Sequence, residues 1–460
     1  MLEILKNKLE NKKILILGFG REGQSSYNLI RSLFPQQLLT IADTNENLNR
    51  NNSVLSDDKQ INYILGKEYL NTLYDFDIIL KSPGITLKDL EYDLSTDKVT
   101  SQTEIFLELF SSQTIGITGT KGKSTTSSLI FHIIKQVTNN VVLVGNIGQP
   151  PFNLLNSINN STIIVYELSS HQLEKITIAP HISILLNLYQ EHLDHYNSFI
   201  DYQLAKFNIT KYQDHHDFFI YNADDRLICN LVDKYNLDRN YFQFSLNQEV
   251  KNGSYINNND IIFKYKNTYS QTYHIDNKRK LKGDHNLLNI MAAINACKLL
   301  NIPDISISNG INTFDSLPHR IEFIGKFNNI NYYDDSIATI PEATIQAIKT
   351  LTSVDTLILG GFDRGINYLG LMQFLSNSAI KNLIFIGKAG KRMYELINGM
   401  NTIEKQSFLV STYEEALIIA KRHTKPNGIC LLSPAAASYD QFKNFEERGN
   451  KFRELASQNL

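Results

Sequence analysis

The run from Gly119 to Thr125, Gly-Thr-Lys-Gly-Lys-Ser-Thr, is the stretch that most constrains this chain. It follows an apolar, β-branched run (Thr114 to Thr118) and opens onto a helical pattern from Ser127 to Lys135. A glycine turn between a strand and a helix N-terminus lets backbone N–H groups converge on phosphate oxygens. Lys123 can add charge at the outer phosphates, and Ser124 offers a hydroxyl to Mg2+. The full Walker spacing is not met, because its first glycine falls on Ile117. The blander reading is a surface turn rich in glycine and lysine. The flanking strand and helix signals favour an ATP or GTP site.

A chain of 460 residues has room for about three domains with their own cores. Lysine plus arginine (45) nearly balance aspartate plus glutamate (47), which argues against a nucleic-acid or membrane-surface protein. Cys229, Cys297 and Cys430 are far apart and lack metal spacing, as suits free thiols in a reducing cytosol. Met1 to Lys13 is charged without the apolar core of a signal peptide, and no apolar run is long enough to cross a bilayer. The expectation is a cytoplasmic protein.

Three α/β blocks follow one another. The first places strands at Lys13 to Leu17, up to Asp43, and at Asp77 to Lys81, with a helix from Gly23 to Leu33 and a turn at Ser82-Pro83-Gly84. The second starts near Ser111 and adds strands at Val141 to Val144, Thr162 to Glu167 and Ile182 to Asn187. From Tyr241 to Asp276 short β-rich runs, an Asn252-Gly253 turn and the polar cluster Asn257 to Asp260 suggest hairpins in a small edge subsheet. The third block, from near Pro318, carries strands at Asn331 to Asp335, Thr356 to Leu359, Leu383 to Ile386 and Ile429 to Ser433. Such alternation implies mostly parallel sheets with ligands at the carboxyl ends of the strands.

Gly18-Phe19-Gly20-Arg21-Glu22-Gly23, with Asp43 twenty residues beyond Gly23, reads alone as a dinucleotide fingerprint and suggests an NAD-dependent oxidoreductase. The second nucleotide loop at Gly119 points instead to ATP driving chemistry on a nucleotide-linked substrate. Glu167, at the end of its strand, is placed to hold Mg2+ with Ser124, although an acid at a helix start also meets the helix dipole favourably. The Asn187 to His195 cluster of histidines and acids suggests metal or phosphate chemistry, but alone it is weak.

GTKGKST, GNIGQP (Gly145 to Pro150), ELSSHQLE (Glu167 to Glu174), LNLYQEHLDHY (Leu186 to Tyr196) and YQLAK (Tyr202 to Lys206) occur in an order that resembles the central domain of the Mur ligases. The resemblance continues through GDHNLLN (Gly283 to Asn289), LPHRIE (Leu317 to Glu322), DDSIAT (Asp334 to Thr339), GGFDRG (Gly360 to Gly365) and LLSPAAASYDQFKNFEERGNKF (Leu431 to Phe452). The closing block, with GFGREG and KSPGI (Lys81 to Ile85), is most similar to the member that adds glutamate to UDP-N-acetylmuramoyl-L-alanine. The family implies an α/β fold of three domains: a Rossmann-like UDP-sugar domain over 1–110, a central P-loop-type ATPase with a mostly parallel sheet over 111–316, and a Rossmann-like glutamate domain over 317–460.

By matching position, the resemblance implies a UDP-sugar pocket of Arg21, Glu22, Asp43, Ser82 and Gly84, with Asn146 on the muramoyl group. Gly119, Thr120, Lys121, Gly122, Lys123, Ser124 and Thr125 would bind the phosphates of ATP, Asn286 and Asn289 its adenine, and Arg320 and Asp335 its phosphate and ribose ends. Ser124, Glu167, His192 and Lys206 would hold two Mg2+ ions, Lys206 as a carbamate, and Lys123, His192 and Lys206 would be the catalytic set. Thr339, Arg364, Ser438 and Phe445 match the amino-acid pocket. The partners implied are small-molecule substrates for a monomer, with no nucleic acid and no membrane.

This chain departs from the family pattern in places. Ile337 stands at a usual lysine, Arg364 at another, Lys121 at a usual asparagine, and Ile340-Pro341 where an asparagine is common. These departures resemble a variant that adds L-glutamate, whereas the tail from Ser438 to Phe445 resembles the D-glutamate enzyme, and D-glutamate is the favoured expectation. A P-loop NTPase switch would need only the phosphate loop. Folylpolyglutamate synthetase, the nearer rival, lacks the first domain.

Overall fold

The computed structural model describes residues 2–48, 53–71, 73–87, 98–191, 195–266, 268–275, 279–315, 317–351, 353–400 and 405–458. They form two units, Met1–Arg279 with Asn286–Phe314, and Lys280–His285 with Asp315–Leu460.

The first unit carries two sheets. Strands β1 (Ile14–Leu17), β2 (Leu39–Asp43), β3 (Ile61–Leu65), β4 (Ile78–Lys81) and β5 (Val99–Thr100) form a parallel sheet in the order β3-β2-β1-β4-β5. Every position of β1 is buried, which is why it reads as an unbroken apolar run. The order reverses beside β1, so the crevice between the ends of β1 and β4 is where such a sheet receives a ligand. There Ser82 donates its hydroxyl to the Gly18 carbonyl at 2.8 Å, joining the two turns expected from the sequence.

The second sheet contains β6 (Thr114–Thr118), β7 (Val141–Gly145), β8 (Ile163–Glu167), β9 (Ile182–Leu185), β10 (Phe218–Asn222), β11 (Asn240–Ser245), β12 (Gly253–Asn257), β13 (Asp260–Tyr265) and β14 (Tyr269–His274). Its order is β14-β13-β12-β11-β10-β9-β6-β8-β7. From β7 through β12 the neighbours are parallel; β12, β13 and β14 are antiparallel. The hairpin expectation is met with one correction. Asn252-Gly253 is not a hairpin turn, since Gly253 begins β12, which runs parallel to β11. The tight turn is Asn258-Asn259, closed by the Asn257–Asp260 pair, with Asn258 at φ 54°. Asparagine tolerates that left-handed conformation better than most residues. The hairpins extend the main sheet rather than forming a separate one.

One buried cluster, including Ile16, Ile105, Phe106, Tyr166 and Leu173, spans both sheets of this unit. Within it Thr103 and Tyr166 share a hydroxyl–hydroxyl hydrogen bond of 3.0 Å.

The second unit is built on β15 (Glu322–Phe327), β16 (Ile330–Asp334), β17 (Val354–Gly360), β18 (Asn382–Ile386), β19 (Gln406–Val410) and β20 (Ile429–Leu432), ordered β15-β16-β20-β17-β18-β19. Only β15 is antiparallel. Buried clusters lie on both faces, around Leu357 and Phe385 on one and Ile358 and Ile384 on the other, as strand alternation requires. Among the described residues no helix is long and apolar enough to cross a membrane.

Candidate active site

Gly119 to Gly122 leave the buried strand β6 and enter the helix Lys123–Lys135, so Lys123 and Ser124 sit in its first turn. Gly119 has φ 154° and Gly122 φ 87°. A Cβ at Gly122 would also lie 2.4 Å from Asn289 Oδ1, so glycine is required there on two counts. Lys123 folds back, donating from Nζ to the carbonyls of Gly119 (2.8 Å) and Thr120 (3.0 Å).

Asn187, just past β9, clamps the loop. Its Oδ1 accepts from the Lys121 N–H at 2.8 Å, its Nδ2 donates to the Lys121 carbonyl at 3.0 Å, and its own carbonyl accepts from the Thr120 N–H at 3.0 Å. The Thr120 hydroxyl accepts from the Tyr189 N–H at 2.9 Å and lies 2.9 Å from the Tyr202 hydroxyl. Lys121 pairs with Glu191 at 2.5 Å, so the charge that replaces the usual asparagine is spent on this carboxylate.

Lys206, on the helix Phe199–Lys211, is 2% exposed and donates to the Gly119 carbonyl at 2.9 Å. Its Nζ also lies over the Tyr202 ring, 5.0 Å from the centroid. Burial, then the charges of Lys123 and Lys121, hold this amine well below the usual lysine range, against partial help from Glu191 and Glu167.

Glu167 ends β8 and is 1% exposed. Asn146 donates to its Oε1 at 3.4 Å, while Oε2 is buried with no hydrogen-bond partner among the described residues. An orphaned buried carboxylate oxygen is costly unless a cation completes it, and oxygen donors suit Mg2+. Lys123, Asn146, Ser170, Glu191, Tyr202 and Lys206 line one cleft of about 260 Å3, with Pro83 from the first sheet on its rim. The cleft thus joins the phosphate loop, the GNIGQP segment and the ELSSHQ segment. His192 lies outside the described residues.

At the mouth of the first sheet the expected UDP-sugar residues lie close together but are largely bonded within the protein. Arg21 donates to the Gly148 carbonyl at 2.8 Å. Asp43 accepts from the Phe19 N–H at 2.7 Å and the Asn45 N–H at 2.9 Å, bracing the glycine turn. Glu22 accepts from Gln172 at 2.7 Å, and Gln172 in turn forms a capping box with Ser169. Burial raises the Glu22 carboxyl to about 7, and its Oε2 has no hydrogen-bond partner. Gly84 lies in the turn after β4 with open space where a Cβ would stand.

Asn289 uses its oxygen to accept from Thr126 at 3.2 Å and donates to Asn286 at 3.1 Å, which places it beneath the phosphate loop. Thr125 is buried in the first turns of the loop's helix.

In the second unit Asp335 follows β16. It accepts from the Ser433 hydroxyl at 2.7 Å and the Ile321 N–H at 3.2 Å, and burial raises its carboxyl to about 7 despite the nearby Arg320. The turn bearing Ile337 and Thr339 is tied to two other segments by Arg448, which is 1% exposed. Arg448 donates to Ser336 Oγ (2.9 Å), the Ser336 carbonyl (2.7 Å) and the Ala436 carbonyl (3.0 Å), while Ser336 Oγ donates to the Phe445 carbonyl at 2.8 Å. Thr339, Ser438 and Phe445 therefore stand on segments bonded to one another. The Gly361–Gly365 loop joins them through the Phe362 N–H, which donates to the Ala437 carbonyl at 2.9 Å. Ile337 supplies no cation to this group.

The sequence assigns no individual role to Tyr202 or Arg448, and marks Asn187 and Glu191 only as part of a cluster suited to metal or phosphate chemistry. Asn187 carried a usable signal, because it sits at the carboxyl end of a strand beside the phosphate loop. Arg448 lies in the closing block, but its bond to the distant Ser336 gave no signal there.

Known proteins resemble this chain along most of its length. Residues 117–297 match the family model described as Mur ligase middle domain. The UDP-N-acetylmuramoylalanine--D-glutamate ligase of Citrifermentans bemidjiense is 33% identical over 456 residues, covering 97% of each chain. That of Clostridioides difficile is 34% identical over 465 residues, covering 97% of this chain and 98% of its own. Among solved structures, UDP-N-acetylmuramate-alanine ligase MurC from Thermotoga maritima aligns over 96% of this chain and 99% of its own, with TM-score 0.57 and 17% identity. MurF ligase from the same organism, in complex with ADP, aligns over 92% of this chain and 95% of its own, with TM-score 0.58 and 15% identity. These two show the shared α/β fold. Given relatives more than 30% identical over 97% of its length, the chain belongs to the Mur ligase family.

Proposed function

We propose that this protein is the ATP-dependent, ADP-forming ligase that joins D-glutamate to UDP-N-acetylmuramoyl-L-alanine in peptidoglycan precursor synthesis. The observation that carries the reading is the single cleft in which Lys123, Asn146, Glu191 and Lys206 meet beside a glycine phosphate loop. A carboxylate is a poor electrophile, so the alanyl carboxylate first attacks the γ-phosphorus of ATP and ADP leaves. The acyl phosphate then meets the neutral amine of glutamate. A C–N bond forms, the amine gives up a proton and phosphate departs.

Lys123 and the loop N–H groups hold the charge of the transferring phosphoryl group. Asn146 orients the muramoyl substrate toward them. Ser124, Glu167 and His192 are the residues that would hold Mg2+, which supplies neutralising charge on the phosphate oxygens. Lys206 fits the same role as a carbamate. Burial holds its amine well below the usual lysine range and so favours the neutral form, which can add CO2 and lose a proton to become a carbamate, an anionic oxygen donor. Asn286, Asn289, Arg320 and Asp335 serve the adenine, phosphate and ribose ends of ATP. Arg21, Glu22, Asp43, Ser82 and Gly84 serve the UDP-sugar, and Thr339, Arg364, Ser438 and Phe445 the amino acid.

The three sheets fit domains of 1–110, 111–316 and 317–460, working as a cytoplasmic monomer. Ile337 and Arg364 are the observations that favour L-glutamate as the second reading. Hydroxylamine trapping tests the mechanism: with ATP, Mg2+ and the UDP-linked acceptor but no glutamate, a hydroxamate of the acceptor is expected. ATP hydrolysis that ignores the acceptor would contradict it.

A further inference from the structure

In the second unit the cation that the ligase reading gives to the amino acid is held in an unusual way. Arg364 is exposed, and among the described residues no carboxylate pairs with it. The nearest candidate in sequence, Asp363, is already taken. Its Oδ1 accepts from Arg392 Nη1 at 2.7 Å and from the Gly365 N–H at 2.9 Å, and Arg392 reaches on to the Ile366 carbonyl at 3.2 Å. Those bonds fix the loop on both sides of Arg364 while leaving its guanidinium unneutralised.

The guanidinium rests on an aromatic face. Its Cζ lies 5.5 Å from the centroid of the Tyr439 ring, and that ring meets the edge of Phe362 at 6.4 Å and 67°. Tyr439 is 59% exposed and Phe362 40% exposed, so the ring that faces the guanidinium is open to a ligand. Both rings stand on strongly fixed backbone. The Phe362 N–H donates to the Ala437 carbonyl at 2.9 Å, and Gly361, at φ 142°, comes so close that a Cβ would lie 2.3 Å from the same oxygen.

A guanidinium attracted to a ring face by the ring quadrupole need not spend its N–H donors there, and these are the groups that grip a carboxylate in bidentate fashion. We infer that Tyr439, with Phe362 behind it, is a positioning residue for amino-acid recognition: its ring presents Arg364 edge-on to a carboxylate of the incoming glutamate. This deepens the ligase reading and rests on it. It also accounts for arginine rather than lysine at 364, since only a planar cation can lie on a ring and present a fork at the same time.

The test is steady-state kinetics on the full-length enzyme with ATP, Mg2+ and UDP-N-acetylmuramoyl-L-alanine. Tyr439→Leu is expected to raise the KM for glutamate roughly threefold to fivefold, with kcat and the KM values for ATP and acceptor held. Tyr439→Phe, which keeps the ring, should retain the low KM. In an Arg364→Lys background, Tyr439→Leu should add little, because the stack is already lost. An unchanged KM in Tyr439→Leu, an equal rise in Tyr439→Phe, or full additivity with Arg364→Lys would overturn the inference while leaving the ligase reading intact. Absence of glutamate-dependent turnover in the unsubstituted enzyme would overturn the ligase reading, and the inference with it.

Discussion

The buried Nζ of Lys206 donates to the carbonyl oxygen of Gly119 at 2.9 Å, so this amine is bonded directly to the first glycine of the phosphate loop. The same carbonyl accepts from Lys123 at 2.8 Å. Two lysines on one oxygen repel each other when both are charged, and burial, then the charge of Lys123, holds the Lys206 amine well below the usual lysine range, which favours its neutral form. A neutral lysine at this spot is chemically ready for CO2, which would replace the repulsion with an anion beside Lys123.

Lys206→Ala is therefore expected to reduce turnover by about a hundredfold or more, the scale seen when a metal-orienting oxygen is lost. A short-chain carboxylic acid should restore part of the activity and bicarbonate should not. Full activity in the variant, measured as phosphate release, would remove the carbamate from the account.

Glu167→Gln keeps the shape but removes the charge of a carboxylate whose Oε2 has no partner among the described residues. The Mg2+ concentration giving half-maximal activity should rise by roughly tenfold or more. An unchanged Mg2+ dependence would mean that Glu167 holds only Asn146.

Gly122→Ala places a methyl group 2.4 Å from Asn289 Oδ1 and forces a non-glycine residue to φ 87°. Nucleotide affinity, measured by calorimetry with ADP, is expected to fall by at least about tenfold, a loss of roughly 1.4 kcal/mol. Retained affinity would show that the loop can shift away from Asn289 without cost.

Glu22 sets a pH dependence in the first unit. Burial raises its carboxyl from 4.5 to about 7, so the folded chain binds the proton more tightly than the unfolded chain does. Its contribution to stability is then fully present below 4.5 and is lost as pH rises through about 7, on the order of 3 kcal/mol. Glu22→Gln keeps an acceptor for Gln172 and should flatten the fall in melting temperature across that window. A variant whose melting temperature falls as steeply as the parent's would contradict the burial of this carboxyl.

Much of this was legible before any coordinates, and the reasons are local. Strand β6 occupies the same residues as its apolar, β-branched run, Thr114 to Thr118, because a parallel strand buried on both faces needs such residues at every position. The glycine turns after β1 and β6 were legible because positive φ and close approach leave few other choices. Strands β15 and β19 were missed: both are sheet edges and are half-exposed, so their sequences lack the continuous apolar signal.

Asn252-Gly253 misled because its dipeptide favours a hairpin turn, whereas Gly253 is needed for close approach to Gln243, where a Cβ would lie 1.8 Å from the carbonyl oxygen. The candidate site was legible in its loops and not in its joints. Arg448 binds Ser336, and Tyr439 carries Arg364, through contacts between segments far apart in sequence that no spacing rule connects.

The most direct measurement is phosphate release by the purified protein with ATP, Mg2+ and UDP-N-acetylmuramoyl-L-alanine, with D-glutamate and L-glutamate supplied in parallel. The account predicts release that depends on the acceptor and on D-glutamate. Release with L-glutamate alone would contradict the assigned stereochemistry, and release with neither amino acid would contradict the ligase itself.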